Sequence, residues 1–216
     1  MEPVNLRHPI FRHIDDPNVL LDKAEKKKLQ TLVLVKAAVD GCVHLMDCCI
    51  EREYNLNPTD SKGPLFYALV KKHVAVAKKV HERGGDVNHV YNGRSILSYA
   101  AEDSRVEVAE FLLENRASPN GVNSYTPLHY AAKKSREMVS LLLKYRASVD
   151  PVGKKCFFSA KVTPLAVALE RHEVDSVTIL LKAGADIRGK GCFVPKSAGV
   201  DLKEVVKEYK KNHKSS

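Results

Sequence analysis

A four-residue frame, in which a leucine is followed three residues later by an alanine, returns along this chain at nearly constant spacing. The five pairs are Leu34 and Ala37, Leu65 and Ala68, Leu97 and Ala100, Leu128 and Ala131, and Leu165 and Ala168. Successive leucines are 31, 32, 31 and 37 residues apart. A period of about 33 residues with two short apolar segments per unit indicates a helical repeat array. Because one unit cannot bury its apolar faces alone, the units must stack on one another.

The fourth and fifth units carry the clearest motif. Residues 126–132 read Thr-Pro-Leu-His-Tyr-Ala-Ala, and Leu-Leu-Leu at 141–143 and Ala-Ser-Val-Asp at 147–150 follow. The fifth unit repeats the pattern, with Thr-Pro-Leu at 163–165 and Leu-Leu-Lys-Ala-Gly-Ala-Asp at 180–186. These runs resemble the ankyrin repeat, and the resemblance covers about residues 29–188. It implies an all-α solenoid of helix-turn-helix units, in which the motif histidine, His129, hydrogen-bonds backbone between units.

The repeat divides the chain into three regions. We expect an N-terminal segment and capping helix at 1–28, repeats over 29–188, and a C-terminal loop, capping helix and basic tail at 189–216. The units fall at about 29–58, 59–89, 90–120, 121–155 and 161–188, with an insertion near 151–162. The first capping helix is expected to begin at Asp16-Pro17 and run towards Lys28, and the second to begin at Asp201. Lysines at 26–28 and at 207, 210 and 211 would give these ends the polar outer face that a terminal repeat needs.

Local signals mark where individual helices begin and end. In Thr126-Pro127 and Thr163-Pro164, the threonine suits the N-cap, and the proline suits the first helical turn, where a missing N–H costs nothing. Arg116 and Arg146 stand where the motif has the glycine that ends a helix in left-handed backbone. We therefore expect strain at these two residues.

Charge and cysteine content bear on partners and compartment. The formal net charge of +9 favours association with acidic partners. The N-terminal residues lack the apolar stretch of a signal peptide, and no window reaches the ~20 apolar residues of a membrane span. The five cysteines are odd in number, which fits free thiols in a reducing compartment. The expected location is therefore the cytoplasm, the nucleus or both.

The sequence carries no recognised catalytic motif. It contains neither a glycine-rich phosphate loop nor a Gly-x-Ser-x-Gly elbow, and His172-Glu173 lacks the second histidine of a zinc protease. Cys42 and His44 provide too few ligands for zinc. We therefore expect a protein that is not an enzyme and has no cofactor, metal or small-molecule substrate.

The resemblance implies a partner-binding face, made by the turn tips and the exposed ends of the first helices. The turn-tip residues are Tyr91, Asn92 and Arg94 in the third unit and Asn123 and Tyr125 in the fourth. The first-helix residues are Val70 and Lys71, Glu102 and Asp103, Lys133 and Lys134, and Glu170 and Arg171. Tyrosine and arginine are enriched among the residues that dominate binding energies.

The insertion at 151–162 adds a second candidate element. Phe157 and Phe158 lie there between Lys154-Lys155 and Lys161, at the joint where the period lengthens to 37. Insertions in repeat proteins often lie on the binding face. Two alternatives stay open: the phenylalanines are exposed anchors for a partner, or they plug an irregular joint.

These observations favour a protein–protein interaction module, an adaptor or an inhibitor, whose partner has an acidic surface. The alternative is a basic scaffold that associates with nucleic acid or with a complex bound to nucleic acid. That alternative is the weaker one, because the sequence has no RNA-recognition motif of aromatic and glycine residues.

Overall fold

The computed structural model describes residues 21–154, 161–189, 191–195 and 198–212, and most of them lie in short α-helices. The helices are α1 (Lys23–Asp40), α2 (Val43–Glu51), α3 (Gly63–Val70), α4 (Val74–Glu82), α5 (Ile96–Glu102), α6 (Val106–Glu114), α7 (Pro127–Ala131), α8 (Arg136–Lys144), α9 (Pro164–Arg171), α10 (Val174–Lys182) and α11 (Val200–Asn212). Within these ranges, four two-residue strands lie between helices: β1 (Val90–Tyr91), β2 (Arg94–Ser95), β3 (Gly153–Lys154) and β4 (Lys161–Val162). The all-α prediction is confirmed.

Thr126 and Thr163 occupy the N-cap positions of α7 and α9, as expected from the sequence. Thr163 Oγ1 accepts a hydrogen bond from the Ala166 backbone N–H at 3.2 Å, at the start of α9. At the start of α7, the Thr126 backbone N–H donates to Nδ1 of His129 at 3.0 Å. Each bond satisfies a backbone or side-chain group that the first helical turn leaves without a partner.

The chain divides into two compact units, residues 1–92 and 93–216. In the first unit, α1 packs against α2 and α3, α3 packs against α4, and α2 contacts α4. First helices therefore lie beside first helices and second helices beside second helices. The frame residues Leu34, Ala37, Leu65 and Ala68 are all buried in this unit.

The second unit repeats this two-layer arrangement. Its first helices, α5, α7 and α9, contact one another in order, as do its second helices, α6, α8 and α10. The last helix, α11, packs against α10. Leu128, Leu142, Leu165 and Leu180 are fully buried between the layers, as expected for the leucines of the repeat.

The N-terminal end differs from the expected separate capping helix. Residues 23–28 form the first turns of α1, which continues without a break to Gly41 in left-handed backbone, with φ 68°. The Glu25 backbone N–H donates to the Asp22 side chain at 2.8 Å, and this bond begins the helix there. The helix continues because no proline or glycine stands between these ends. The expected start at Asp16-Pro17 lies outside the described residues.

Two helix ends carry the backbone strain expected from the sequence. Arg116 and Arg146, just after α6 and α8, have φ of 66° and 62°. A side chain in left-handed backbone costs about 1 kcal/mol or more, because Cβ approaches the following carbonyl oxygen. Gly184 occupies the equivalent place after α10 with φ 90° and has no such cost.

Candidate functional site

The predicted partner-binding residues differ in how far they reach the surface. The exposed ones are Lys71, Asn92, Asp103, Asn123, Lys134, Glu170 and Arg171. The half-buried ones are Val70, Tyr91, Arg94, Glu102 and Lys133. Tyr125 is buried, and Phe157 and Phe158 lie outside the described residues. The set is divided between the two compact units.

In the second unit, the predicted residue Arg94 is flanked by Glu102 and by two tyrosines outside the predicted set. The Cζ atom of Arg94 lies 4.2 Å from the ring centroid of Tyr99 and 4.2 Å from that of Tyr130. Its Nη2 donates to Oε2 of Glu102 at 2.7 Å. Two rings and one carboxylate therefore hold the guanidinium, and each cation–π contact contributes about 0.5–2 kcal/mol.

Lys133, in the turn just after α7, extends this group. Lys133 Nζ lies 4.8 Å from the Tyr130 ring centroid and 5.7 Å from that of Tyr125. We call Arg94, Tyr99, Glu102, Tyr130 and Lys133 the Arg94 cluster. It places two cations and two aromatic rings side by side, and these are groups that bind carboxylates and apolar surfaces of a partner.

The expectation that Tyr125 is a surface contact is corrected by the structure. Only 6% of Tyr125 is exposed, because its ring stacks on His129 at 4.5 Å and meets Tyr130 edge-on at 4.8 Å. Burial raises the pKa of Tyr125 above its ordinary value. Tyr125 therefore packs against Tyr130 and contacts Lys133 without reaching the surface itself, and a partner would not contact it directly.

Tyr99 and Tyr130 were not among the predicted binding residues. Each stands two positions after the leucine of the repeat frame. Tyr67 holds the same position in the second of the five repeats. An aromatic residue that recurs at one position of the repeat is a pattern in the sequence that identifies these tyrosines as candidate binding residues. Their approach to Arg94 depends on how adjacent units stack, and the spacing alone does not show it.

In the first unit, the predicted positions Val70, Lys71, Tyr91 and Asn92 include one residue, Tyr91, that interacts with Tyr67. Burial raises the pKa of the Tyr67 hydroxyl, with a smaller contribution from Tyr91. Val70 and Lys71 end α3, and Asn92 follows β1 with φ 48°, a left-handed conformation that asparagine tolerates. These residues offer a partner mainly the lysine and the asparagine, which are exposed.

The insertion at 151–162 begins and ends in a short ladder. Gly153 pairs with Val162 and Lys154 with Lys161, antiparallel. His129 Nε2 lies 3.1 Å from the Val162 carbonyl oxygen, which confirms the expected hydrogen bond between units. The Thr126 backbone N–H donates to Nδ1, so Nε2 carries the proton and donates.

The described residues give no support for metal chemistry or for a membrane span. Within them, no three His, Cys, Asp or Glu side chains converge as metal ligands. None of the helices in the described ranges is long and apolar enough to cross a bilayer. Burial raises the pKa of the Cys49 thiol to about 12, so this thiol is a poor nucleophile at neutral pH.

Comparisons with known proteins agree on the repeat. A family model described as ankyrin repeats (3 copies) matches residues 34–123, 75–154 and 118–190. The ankyrin repeat and KH domain-containing protein mask-1 of Caenorhabditis elegans is 30% identical over 129 residues, 56% of this chain and 5% of that protein. The ANK repeat-containing protein nipk-1 of the same organism is 32% identical over 136 residues, 56% of this chain and 22% of that protein.

Inversin from Canis lupus familiaris is 29% identical over 132 residues, 58% of this chain and 12% of inversin. The chain therefore spans between 5% and 22% of the length of these relatives. Among solved structures, the human ASB11 ankyrin repeat domain superposes with a TM-score of 0.65 at 26% identity, covering 82% of each chain.

Proposed function

Because the chain belongs to the ankyrin-repeat family, whose repeats generally mediate protein–protein interaction, we propose that it binds another protein through the Arg94 cluster. Ankyrin-repeat proteins are generally binding modules without enzymatic activity. The proposed role is accordingly that of an adaptor or an inhibitor that occupies a partner's surface.

The observation that carries this proposal is the fixed position of Arg94. A guanidinium held between two rings and a carboxylate loses little conformational entropy on binding, and that loss is one of the main costs of association. The half-buried tyrosines Tyr99 and Tyr130 supply rigid apolar area beside it. Such a preorganised arginine and tyrosine group has the composition of a binding hot spot.

The charges around the cluster bear on the partner. Lys134 and Arg171 are exposed cations on the first-helix ends, with the exposed carboxylates of Asp103 and Glu170 at neighbouring repeat positions. Together with the net charge of +9, these cations favour a partner whose contact surface is acidic at its centre. The carboxylates would oppose a partner in the wrong register.

Photo-crosslinking tests the location of the surface. A photoreactive residue is placed at Lys134, beside the cluster, and in a control chain at Arg105, exposed at the start of α6. Each intact chain is irradiated in an extract of its source cells. We expect a protein crosslinked from position 134 and not from position 105, and equal crosslinking from both would contradict the proposal.

Affinity measurements with the identified partner test the cluster itself. Arg94→Lys keeps the charge but loses the planar stacking, and Tyr130→Leu removes one ring. We expect the dissociation constant to rise at least about tenfold for each, at unchanged helix content. Arg105→Lys is the matched control. Parent-like affinity of both cluster variants would refute the assignment.

A second candidate function is association with nucleic acid, which the net charge of +9 favours. Nuclease treatment before capture separates the two candidates, because a direct protein complex survives it.

We further propose a cytoplasmic or nuclear location. It is supported by the free thiols of Cys42, Cys48, Cys49 and Cys192, which fit a reducing compartment.

A further inference from the structure

The last helix, α11, carries its charged side chains in separate sectors. Its lysines lie at relative positions 0, 4, 7 and 8, which places them on one face of a helix with 3.6 residues per turn: Lys203, Lys207, Lys210 and Lys211. Its carboxylates lie on a different arc: Asp201, Glu204 and Glu208. The buried residues Leu202 and Val206 hold the helix against the rest of the unit. The lysine face is therefore turned away from the core.

A groove of about 480 Å³ follows the lysine face. The four lysines line it together with Val194 and Val206. Lysine stems are methylene chains whose ammonium groups remain in water. The groove, which we call the α11 groove, therefore combines an apolar floor with a cationic rim.

Three of the four rim lysines lie outside the ion pairs of the described residues. Lys207, Lys210 and Lys211 are exposed and form no ion pair with described residues. Like charges at helical spacings of three and four residues repel one another, at a small cost to the helix. Carboxylates from a partner would remove that repulsion and gain one ion pair for each lysine.

We propose that the α11 groove binds an acidic peptide segment of another protein, with an apolar side chain seated between its carboxylates. The lysine stripe from Lys203 to Lys211 spans about 12 Å along the helix axis. About four residues of extended chain cover that distance, so carboxylates roughly four residues apart meet its two ends. Val194 and Val206 provide the floor for the apolar side chain between them.

The groove suits a peptide better than single-stranded nucleic acid. Single-stranded nucleic acid is bound by stacking its bases on aromatic side chains along a basic track. The residues that line the groove are four lysines and two valines, so the described lining offers no ring for stacking. This site shares no residue with the Arg94 cluster, and the two can be tested independently.

Peptide selection on the intact chain tests the proposal. A random dodecapeptide phage library is panned against the parent chain, and the selected peptide is synthesised with a fluorescent label. Its dissociation constant is measured by anisotropy for the parent and for the triple variant Lys207→Gln, Lys210→Gln and Lys211→Gln. The matched control replaces Lys26, Lys27 and Lys28 by glutamine, which removes three charges from an exposed run on α1.

We expect selected sequences in which at least two acidic residues flank an aliphatic or aromatic residue. The α11 triple variant should weaken binding at least about tenfold, from three ion pairs of modest strength each. The α1 triple variant should change it less than about twofold. Replacing the apolar residue of the peptide by serine should also weaken binding.

Four results would overturn the proposal. These are no enrichment of peptides, enrichment without acidic residues, equal weakening by the two triple variants, or tighter binding of a 20-nucleotide oligothymidine that the α11 triple variant abolishes. Circular dichroism and thermal melting of each variant ensure that lost binding does not reflect lost folding.

Discussion

The buried ring of His129 makes the free energy of unfolding depend on pH between about 4 and 6.5. Its ring is fully buried, with Nδ1 accepting from the Thr126 backbone N–H and Nε2 donating to the Val162 carbonyl. A protonated ring would need to donate from both nitrogens, and it would place a charge in the core. Burial accordingly lowers the pKa of His129 from its ordinary 6.5 to about 4.

The direction and size of the effect follow from this shift. Between pH 6.5 and about 4 the unfolded chain binds a proton at His129 and the folded chain does not, so the free energy of unfolding falls as the pH falls. The stabilisation is fully present above pH 6.5 and fully lost below about 4. At about 1.4 kcal/mol for each pH unit, the whole loss is about 3 kcal/mol, of which about 2 kcal/mol is lost by pH 5.

The measurement compares the parent chain with His129→Gln. Glutamine completes the Thr-x-x-Gln capping box at Thr126 but does not titrate. Urea unfolding of both chains is followed by circular dichroism at pH 7.5, 6.5, 5.5 and 5.0 and at constant ionic strength. We expect the parent to lose about 2 kcal/mol more than the variant between pH 7.5 and pH 5.0.

The comparison cancels the other titrating groups, because both chains share them. A difference below about 0.5 kcal/mol would show that His129 is not held neutral by burial, since the linkage requires the larger value. A steeper loss in the variant than in the parent would contradict the assigned sign.

Four further substitutions test the packing and the backbone strain of the second unit. Leu128→Ala should lower the free energy of unfolding by about 2–5 kcal/mol in urea titrations, because the side chain is fully buried, and an unchanged midpoint would remove it from the core. Gly153→Ala should lower the melting temperature, since its Cβ would lie 2.9 Å from Nε2 of His129, and a parent-like melt would show that this contact relaxes freely. Arg116→Gly should raise stability by about 0.5–1 kcal/mol by removing left-handed strain at φ 66°, whereas Glu114→Gly, in the last turn of α6, should lower it by about 1 kcal/mol. If both glycine variants lose stability equally, strain at Arg116 is not the cause.

Much of the fold was predictable because the relevant information is local. The leucine frame, the threonine caps and the family resemblance predicted helix pairs over residues 29–188, and the all-α ankyrin fold is confirmed. The strained arginines were also predictable, since the glycine position of the motif requires left-handed backbone. The sequence did not predict that α1 includes residues 23–28, which were expected to belong to a separate capping helix. A helix continues until a specific residue stops it, and Gly41 is the first to do so.

The binding surface was predictable only as a set of repeat positions. Its fifteen residues stay a prediction, and the structure changes what several of them present to a partner. Tyr125 matched the turn-tip position but is buried, because His129 and Tyr130 from the next helix cover its ring. Phe157 and Phe158 lie outside the described residues, and both expectations for them stay predictions.

The sequence by itself determined where helices start and end, because caps, glycines and apolar spacing act within a few residues. It also determined the repeat, because the same short frame recurs along the chain. The position of Arg94 between Tyr99 and Tyr130 is a property of the stacked units, since Tyr130 stands 36 residues away in the chain. The exposure of the lysine face of α11 also depends on the tertiary structure. Leu202 and Val206 are buried against the rest of the unit, and this decides which side of the helix meets water. Burial depends on neighbours that are distant in sequence, and only the tertiary structure supplies them.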